Sequence, residues 1–274
     1  MGTVAKEQGW QLAGSSAEAY ERFLVGAIFR SSAARLVEAV GVRSGERVLD
    51  VGCGTGIVAR TAAPVVGPSG RVAGVDINAD MLDVARRESS ELEPSIEWRE
   101  ASAADLPFGD GSFDVVCSEQ ALAFFTDPAA AVAEMRRVLV PGGRLGLLVC
   151  RDVGFNPAWA ALADALERHV GSDPADGMRS PFSFGDGEAI RELVMGAGFD
   201  GVRVLADIAE VRYPSAEGML RYEAASSPMA GAIAALDAEV REALIADLNE
   251  GLAPYADDAG IAVCLQCWKV LASA

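Results

Sequence analysis

A strand-like run followed by alternating glycines is the segment whose residue types point most directly to chemistry. In VLDVGCGTG, residues 48–56, a hydrophobic run reaches Asp50, and glycine then takes every second position from Gly52 to Gly56. Glycine lets the backbone turn sharply and lets a ligand approach without a Cβ in the way. A helix-like segment begins near Ile57, and a helix N-terminus offers free N–H groups. The segment therefore predicts a loop that holds a cofactor.

Two other nucleotide-binding loops begin in a similar way, and the sequence disfavours both. The dinucleotide fingerprint GxGxxG needs a glycine three positions after Gly54, where this chain has Ile57. A P-loop needs Gly-Lys-Ser or Gly-Lys-Thr, which does not follow the glycines. A nicotinamide-dependent oxidoreductase therefore stays as the less favoured alternative.

Two aspartates frame this loop, and their chemistry restricts the ligand. Asp50 comes directly before the turn, and Asp76 ends the next strand-like run along the chain. A carboxylate at the first position would repel a pyrophosphate, but it can accept hydrogen bonds from an ammonium group. A carboxylate at the second position is suited to accept hydrogen bonds from both hydroxyls of a ribose. We therefore expect a zwitterionic or cationic ligand that contains a ribose.

Strand-like and helix-like segments alternate in the first half of the chain. Such alternation predicts βαβ units and a parallel sheet covered on both faces, which is an α/β fold. Gly41 is a plausible C-cap for the first helix, and Asp127 with Pro128 a plausible start for the last. The predicted strands are 47–51, 71–76, 113–117 and 144–150, and the predicted helices are 17–40, 57–65, 79–90 and 128–139.

The pattern after residue 150 is less regular. We predict a helix over 155–170, a Gly-, Asp-, Pro- and Ser-rich loop through Phe184, a helix over 187–197, a strand over 201–213, a largely helical stretch over 215–251 and a strand over 261–271. No linker-like tract flanks the helical stretches, so we expect one domain over 1–274. Its predicted parts are a helical lid (1–40), a cofactor-binding core (41–150), a first insertion with a helix (151–200) and the last strands (201–274), which contain a helical insertion over 214–258.

Composition and charge exclude several classes of protein. The chain has 274 residues, of which 51% are hydrophobic and 23% charged, values typical of a globular fold. The 23 Lys and Arg against 40 Asp and Glu give a net charge of −17, which disfavours nucleic acids and anionic membrane surfaces as partners. The first ten residues lack the apolar core of a signal peptide, and no segment supplies the roughly 18 apolar residues of a membrane span. We therefore predict a cytoplasmic protein, and make no prediction of its oligomeric state.

The five cysteines are too few and too scattered for a disulfide framework, which suits a reducing compartment. Cys264 and Cys267 have CxxC spacing, but they lie in a run that we interpret as a strand. Residues three apart on a strand point to opposite faces, so these thiols could not bind one metal together. We therefore interpret them as structural cysteines and predict no metal site.

Four motifs, the glycine loop and three that follow it, occur in a fixed order across about 100 residues. They are DVGCGTG at 50–56, GVDIN at 74–78, ADLPFGDGSFDVVCSEQAL at 104–122 and MRRVLVPGGRL at 135–145. In this order they resemble the motifs of class I S-adenosylmethionine-dependent methyltransferases, and within that family the UbiE-like or type 11 group. A weaker likeness extends from about residue 10 to 200. The resemblance implies a Rossmann-like seven-stranded sheet with an antiparallel last strand, helical lid insertions and S-adenosylmethionine as methyl donor, with S-adenosylhomocysteine as product.

The resemblance also implies roles for individual residues. The glycine loop would run along the methionine part of the cofactor, Asp76 would hold the ribose, and Ile77 and Met81 would pack against the adenine. Ser102 replaces the acidic residue that the family usually places near the adenine amino group, which leaves a backbone contact from Ala103. The full set of expected cofactor-binding residues is Tyr20, Asp50, Gly52, Cys53, Gly54, Gly56, Asp76, Ile77, Met81, Ser102, Ala103 and Ser118.

Four further side chains are considered for the region near the methyl group. Ser118, Glu119 and Gln120 follow the fourth predicted strand, where the family lines the methyl-donor end. Tyr20 resembles a lid tyrosine that caps the methionine carboxylate. Transfer from a sulfonium needs an aligned nucleophile about 3 Å from the methyl carbon, dry surroundings and sometimes a base. Glu119 is a candidate base that could bind cofactor instead.

His169 is the second candidate base, and it is the single histidine of the chain. It ends a predicted helix, where a basic side chain also complements the helix dipole, and we favour this structural role. Glu223, beside Tyr222, is a third candidate base, and its alternative interpretation is a solvated helix residue.

These observations predict methyl transfer from S-adenosylmethionine to an apolar or aromatic small molecule, at oxygen, nitrogen or carbon, as in quinone or secondary metabolism. Aromatic and methionine side chains of the predicted lid and insertions, which would form a roof over the strand ends, could line the acceptor pocket. The main alternative is a protein that binds the cofactor for another purpose.

Overall fold

A mixed β-sheet runs through the protein, and the computed structural model describes residues 15–227 and 229–274 around it. In that part of the chain the strand order is β3-β2-β1-β4-β5-β8-β6, and the short β7 pairs with β8. Strands β1 to β5 are parallel, whereas β8 runs antiparallel to both β5 and β6. The seven-stranded sheet and its antiparallel strand are therefore confirmed. The strands are β1 (Arg47–Val51), β2 (Arg71–Asp76), β3 (Ile96–Glu100), β4 (Phe113–Glu119), β5 (Leu139–Cys150), β6 (Asp200–Tyr213), β7 (Ala256–Asp257) and β8 (Gly260–Ser273).

The position of the functional site follows from this strand order. From β1 the chain crosses to β2 on one side and later returns to β4 on the other side. Ligands of open α/β sheets bind at the carboxyl ends of the strands where the order reverses in this way. The glycine loop after β1 and the carboxyl end of β4 at residues 119–120 therefore meet at the same crevice.

Helices cover both faces of the sheet and form a roof over its carboxyl edge. Gly41 ends α2 in the left-handed region, with φ of 72°, and Asp127 caps α5 by accepting a hydrogen bond from the Ala130 N–H at 2.9 Å. Both predicted caps are confirmed. The helices are α1 (Ser15–Ala19), α2 (Arg30–Val40), α3 (Ile57–Val66), α4 (Ala79–Glu88), α5 (Pro128–Val138), α6 (Pro157–His169), α7 (Ser172–Arg179), α8 (Gly187–Gly196), α9 (Ala216–Ala225), α10 (Ala230–Ala234) and α11 (Ala238–Leu252).

The predicted N-terminal helix over 17–40 is helical throughout but not uniformly α-helical. Residues Tyr20–Phe29 form a π-helix between α1 and α2. An i→i+5 repeat changes which side chains share a face, and such segments are frequent at functional sites. Here Tyr20, Leu24 and Ile28 all point into the same cavity. Hydrophobic spacing alone predicted the helix but could not distinguish an α-helical from a π-helical repeat.

The structure differs from the prediction at one loop of the second half and at one edge of the sheet. The predicted loop through Phe184 contains α7 and a 3-10 turn, Ser180–Phe182, because its Gly and Pro residues lie at helix ends or in a first turn. The largely helical stretch over 215–251 is confirmed and consists of α9, α10 and α11. Strand β3 was not predicted, because IEWRE is a charged, partly exposed edge strand without a hydrophobic run.

The roof is fastened to the core by specific contacts. Phe23 of the π-helix stacks on Tyr222 of α9 with ring centroids 4.6 Å apart. Glu21 forms an ion pair with Arg60 of α3 at 2.7 Å, and both side chains are largely buried.

In the part of the chain that the structure describes, no helix is long and apolar enough to cross a bilayer.

Trp98 on β3 explains two of the glycines near the loop. Its indole lies against Gly56 and against Gly74, and Gly74 on β2 is the residue paired with Trp98 in the sheet. A Cβ at either glycine would collide with the ring. The indole N–H donates to the Ser89 hydroxyl at 3.1 Å, which fixes the ring in this position. Glycine is therefore required at position 56 because the Trp98 ring packs directly against it.

We expect Gly74→Ala to lower the free energy of unfolding by about 1–3 kcal/mol, because the new methyl group overpacks a buried contact. The Cβ would lie 2.5 Å from one atom of the indole and 3.1 Å from the Cys53 sulfur. Gly196→Ala, at a helical position with no atom within 4 Å of its Cβ, is the matched control and should leave stability unchanged or slightly raised. Denaturant unfolding checks both variants, and equal midpoints would contradict the packing role of Trp98.

Candidate functional site

A cavity of about 1140 Å³ lies between the carboxyl edge of the sheet and the roof. The glycine loop and the ends of β2 and β4 form its floor, and the π-helix and the segment around α7 form its cover. Nine of the fourteen predicted site residues line it. They are Tyr20, Gly52, Gly54, Asp76, Ile77, Met81, Ser102, Ala103 and Glu119.

The backbone of the loop uses the left-handed region at each of its alternating glycines. The φ angles of Gly52, Gly54 and Gly56 are 67°, 55° and 81°. A Cβ on Gly52 would lie 2.5 Å from the Ala121 Cβ, so the loop closely approaches the segment after β4. A Cβ on Gly54 would lie 3.6 Å from the Met81 side chain, inside the cavity wall. Glycine at residue 54 therefore keeps open space that a ligand can enter.

Asp76 fixes this loop and also faces the cavity. Its Oδ2 accepts a hydrogen bond from the Gly54 N–H at 2.7 Å, and its Oδ1 accepts one from the Asn78 N–H at 2.9 Å. Burial raises the pKa of Asp76 above its usual value, and these N–H donors act in the opposite direction. Each carboxylate oxygen retains acceptor capacity, so the side chain can still receive ligand hydroxyls.

Asp50 lies beneath the loop and is 1% exposed. Its Oδ2 accepts a hydrogen bond from the Ala59 N–H of α3 at 3.0 Å, and it is absent from the cavity lining in the described residues. The carboxylate therefore ties β1 to α3, and its direct contact with a ligand stays a prediction. Burial raises its pKa to about 7.

Glu119 at the end of β4 is the carboxylate that faces the cavity near the loop. Its Oε1 accepts a short hydrogen bond from the Ser32 hydroxyl, whereas its Oε2 is buried without a partner in the described residues. Burial raises the pKa of Glu119 to about 8, and Asp50 adds to the effect. Burial and the nearby Glu119 raise the pKa of Tyr20 above its usual value.

The other predicted site residues that line the cavity form its wall beyond Asp76. Ile77 is 55% exposed and Met81 is buried beside it, which gives an apolar surface at the cavity edge. Ser102 accepts a hydrogen bond from the Ala104 N–H at 3.2 Å and so shapes the turn that also contains Ala103. An apolar wall and a turn with backbone groups are suited to the flat face and edge of a base.

Five predicted site residues do not line the cavity: Asp50, Cys53, Gly56, Ser118 and His169. Cys53 is buried and packs near Gly74, and Gly56 packs against Trp98. Ser118 is buried, and its hydroxyl has no hydrogen-bond partner among residues 15–227 and 229–274. Their assignment to the cofactor stays a prediction.

His169 is placed away from the cavity. Its Nε2 lies 3.0 Å from Oδ2 of Asp247, a contact that joins the end of α6 to α11. Asp247 also forms an ion pair with Arg168 at 2.9 Å. This arrangement supports the structural role at a helix end, and we do not retain His169 as a candidate base.

Gln120 and Glu223 also line the cavity, the first as expected from its position after the fourth predicted strand. Gln120 lines the cavity with φ of 51°, a left-handed backbone that its sequence position does not signal. Glu223 is 7% exposed and lines the cavity, so its interpretation as a solvated helix residue was wrong. The signal was available in part, because Glu223 lies in the mostly apolar stretch 216–225 next to Tyr222.

The structure confirms that the CxxC cysteines point to opposite faces of β8, because Cys264 is exposed and Cys267 is buried. All five cysteines are free. Among the described residues, no three His, Cys, Asp or Glu side chains are grouped so that they could hold a metal.

The two buried carboxyls near the loop predict a pH dependence of stability in the free protein. In the unfolded chain Asp50 and Glu119 would ionise near their ordinary values, about pH 4. Because the pKa values in the folded state are about 7 and about 8, the folded state binds more protons between these limits. Their stabilising contribution is complete below about pH 4 and is lost as the pH rises to about 8.

We therefore expect the unfolding free energy to fall between pH 6 and 8.5 in wild type and to fall less in Glu119→Gln, by on the order of 1–3 kcal/mol. Denaturant melts at constant ionic strength measure the difference. An identical pH profile in the variant would contradict the proposed burial of Glu119.

The cavity floor fits a cationic nucleoside. Gly54 leaves space for it, Asp76 and Glu119 offer carboxylate acceptors, and Glu119 has an unpartnered buried oxygen. Buried polar atoms of this kind are normally satisfied, so they mark places where a ligand can bind.

Comparisons with known proteins indicate the family of the chain. A family model described as "Methyltransferase domain" matches residues 49–147. Nocamycin O-methyltransferase of Saccharothrix syringae is 36% identical over 203 residues, which cover 70% of this chain and 72% of that protein. The chain spans a smaller share of some other relatives. It covers 46% of the ubiquinone/menaquinone biosynthesis C-methyltransferase UbiE of Hahella chejuensis, with 45% identity over 114 residues.

A solved structure is similar over nearly its whole length. The YcgJ protein of Bacillus subtilis superposes with a TM-score of 0.60 and 20% identity, covering 89% of this chain and 97% of that one, which shows the shared fold. The sequence relatives support methyl transfer to small molecules. The chain belongs to the class I S-adenosylmethionine-dependent methyltransferases.

Proposed function

We propose that the protein methylates an apolar or aromatic small molecule bound under the roof, with S-adenosylmethionine on the glycine loop. The observation that carries this proposal is one continuous cavity with two chemically different ends. One end has the loop and Asp76, and the other has Trp159, Phe182 and Met178. A donor and an acceptor held at these ends would meet beside Glu119.

The placement of the loop residues supports the cofactor roles that the resemblance implies. Asp76 accepts the ribose hydroxyls, and the apolar pair of Ile77 and Met81 flanks the base, with Ala103 at its edge. Tyr20 covers the loop from the π-helix, where it can cap the methionine end. Asp50 holds β1 and α3 so that the loop keeps its shape.

S-adenosylmethionine supplies an activated methyl group on a sulfonium, so the protein needs to align the acceptor and exclude water. The Tyr20, Leu24 and Ile28 side chains of the π-helix close the cavity on that side. Glu119, with its raised pKa, can hold a proton or accept one at Oε2. We propose it as the base for an acceptor that must lose a proton, and as a hydrogen-bond acceptor for the cofactor otherwise.

The names of the relatives indicate two acceptor classes, an O-methylated natural product and a C-methylated quinone. Both are consistent with the aromatic and methionine lining of the roof. We further propose a cytoplasmic protein with no nucleic-acid partner, on the basis of five free cysteines and a net charge of −17.

Incubation of the purified protein with isotopically labelled donor and a metabolite extract tests the proposal. We expect label in a small apolar product by mass spectrometry and formation of S-adenosylhomocysteine. Binding of the cofactor without any labelled product from extract would support the alternative, a cofactor-binding protein with another role.

A further inference from the structure

The half of the cavity under the roof contains a buried carboxylate that the cofactor residues do not use. Glu223 of α9 lines the cavity. Its Oε1 accepts hydrogen bonds from the Trp159 indole N–H at 3.0 Å and from the Tyr213 hydroxyl at 2.7 Å. Trp159 and Tyr213 are themselves buried, so these bonds hold the carboxylate in a fixed position.

Both hydrogen bonds go to the same oxygen of Glu223. Its Oε2 accepts none from the residues that the structure describes. Burial raises the pKa of the Glu223 carboxyl, while the Tyr213 and Trp159 donors act against this effect. A buried carboxylate is stabilised by each further donor that reaches it, so Oε2 is suited to a donor from a ligand.

The charge of the cavity lining is of one sign. Six acidic residues line the cavity, and no Lys, Arg or His does so among the described residues. An anionic group on an acceptor beside Glu223 would meet only like-charged side chains, whereas a neutral donor or a cation would be attracted. The acidic residues are Asp76, Glu119, Asp127, Asp173, Asp176 and Glu223.

Aromatic rings supply the rest of the surroundings of Glu223. Trp159 and Phe182 line the cavity with ring centroids 6.1 Å apart, and Tyr213 and Tyr222 meet edge to face at 6.0 Å. Such rings contact flat or apolar ligands and also attract a cation. The site therefore combines an apolar surface with a single fixed acceptor.

We propose that Glu223 is the residue that recognises the methyl acceptor, through a hydroxyl or protonated amine carried on an apolar or aromatic body. A carboxylate or phosphate on the acceptor would be disfavoured beside Glu223 by like-charge repulsion. That the bound molecule is then methylated rests on the proposed function. Its recognition by Glu223 can be measured as binding, without turnover.

The test uses probes that share one ring system and differ in one substituent. They are 1-naphthylmethylamine, 1-naphthalenemethanol, 1-methylnaphthalene and 1-naphthoate, titrated into the protein with S-adenosylhomocysteine present. In wild type we expect the amine and the alcohol to bind about tenfold or more tightly than naphthoate. Glu223→Gln keeps a carbonyl oxygen for Trp159 and Tyr213, and we expect it to remove the preference for the amine over methylnaphthalene.

Glu217→Gln removes the same charge at an exposed position of α9 and is the matched control. It should retain the wild-type order of affinities for the four probes. The dissociation constant of S-adenosylhomocysteine should be equal in all three proteins, which separates a local effect from misfolding. Equal affinity of wild type for amine and naphthoate, or an unchanged preference in Glu223→Gln, would overturn the inference. If wild type ignores S-adenosylhomocysteine, the proposed function fails, and the same probes titrated alone still test Glu223.

Discussion

Replacing Gly54 by valine should weaken S-adenosylhomocysteine binding by on the order of 100-fold. The φ of Gly54 is 55°, which a β-branched residue rarely adopts, and its Cβ would lie 3.6 Å from Met81 and 4.0 Å from Tyr20. The two methyl groups would enter the part of the cavity that the loop keeps open. Isothermal titration calorimetry measures the loss.

Gly142→Val is the matched control for backbone strain. Gly142 has φ of 79°, and no atom lies within 4 Å of its Cβ. Both variants should lose about 1–2 kcal/mol of stability from the left-handed backbone, and Gly142→Val should bind the nucleoside like wild type. A dissociation constant for Gly54→Val close to that of Gly142→Val would show that the ligand does not approach the loop.

Replacing Asp76 by alanine should weaken the same interaction by about 1–3 kcal/mol, or roughly 5- to 150-fold. The variant removes the acceptors for the ribose hydroxyls and also releases the N–H groups of Gly54 and Asn78. Asp76→Asn keeps one acceptor oxygen and should lose less. Calorimetry at low and at high salt checks that the loss persists when long-range attraction is screened.

Asp83→Ala removes an exposed carboxylate from the neighbouring helix α4 and serves as the charge control. Its affinity should equal that of wild type in low salt. An unchanged dissociation constant for Asp76→Ala would refute the ribose contact, and an equal loss in both variants would assign the effect to net charge.

The residues around the loop could be predicted because their signals are local. Asp50 and Asp76 each end a hydrophobic run, and Gly52 and Gly54 have left-handed backbones that favour glycine at those positions. The extent of β5 was underestimated because Pro141 and the following glycines have the composition of a turn. The structure keeps them in the strand, where Gly142 donates to the carbonyl of Ala274 at 2.8 Å.

The parts that sequence reasoning missed depend on contacts between distant segments. The ring that packs against Gly56 comes from Trp98, on a strand that lacks a hydrophobic run, so the sequence did not reveal this contact. Nor did it reveal that Oδ2 of Asp50 accepts a hydrogen bond from the Ala59 N–H. The side-chain direction after a sharp turn is not set by the local sequence.

Glu223 illustrates the same limit at the roof. Its neighbours along α9 do not reveal that Trp159, 64 residues earlier, donates to it. Only the packing of α6, β6 and α9 converts a helix glutamate into a buried acceptor. Conversely, Glu119 lines the cavity as expected, because it ends a buried parallel strand whose carboxyl end must reach the crevice.

Calorimetric titration of the purified wild-type protein with S-adenosylhomocysteine, with NADH titrated in parallel, is the most direct test of the site. The structure predicts saturable binding of one nucleoside per chain and no binding of NADH. Absence of saturable binding of S-adenosylhomocysteine up to about 1 mM, or binding of NADH alone, would contradict the assignment of the glycine loop to a sulfur nucleoside.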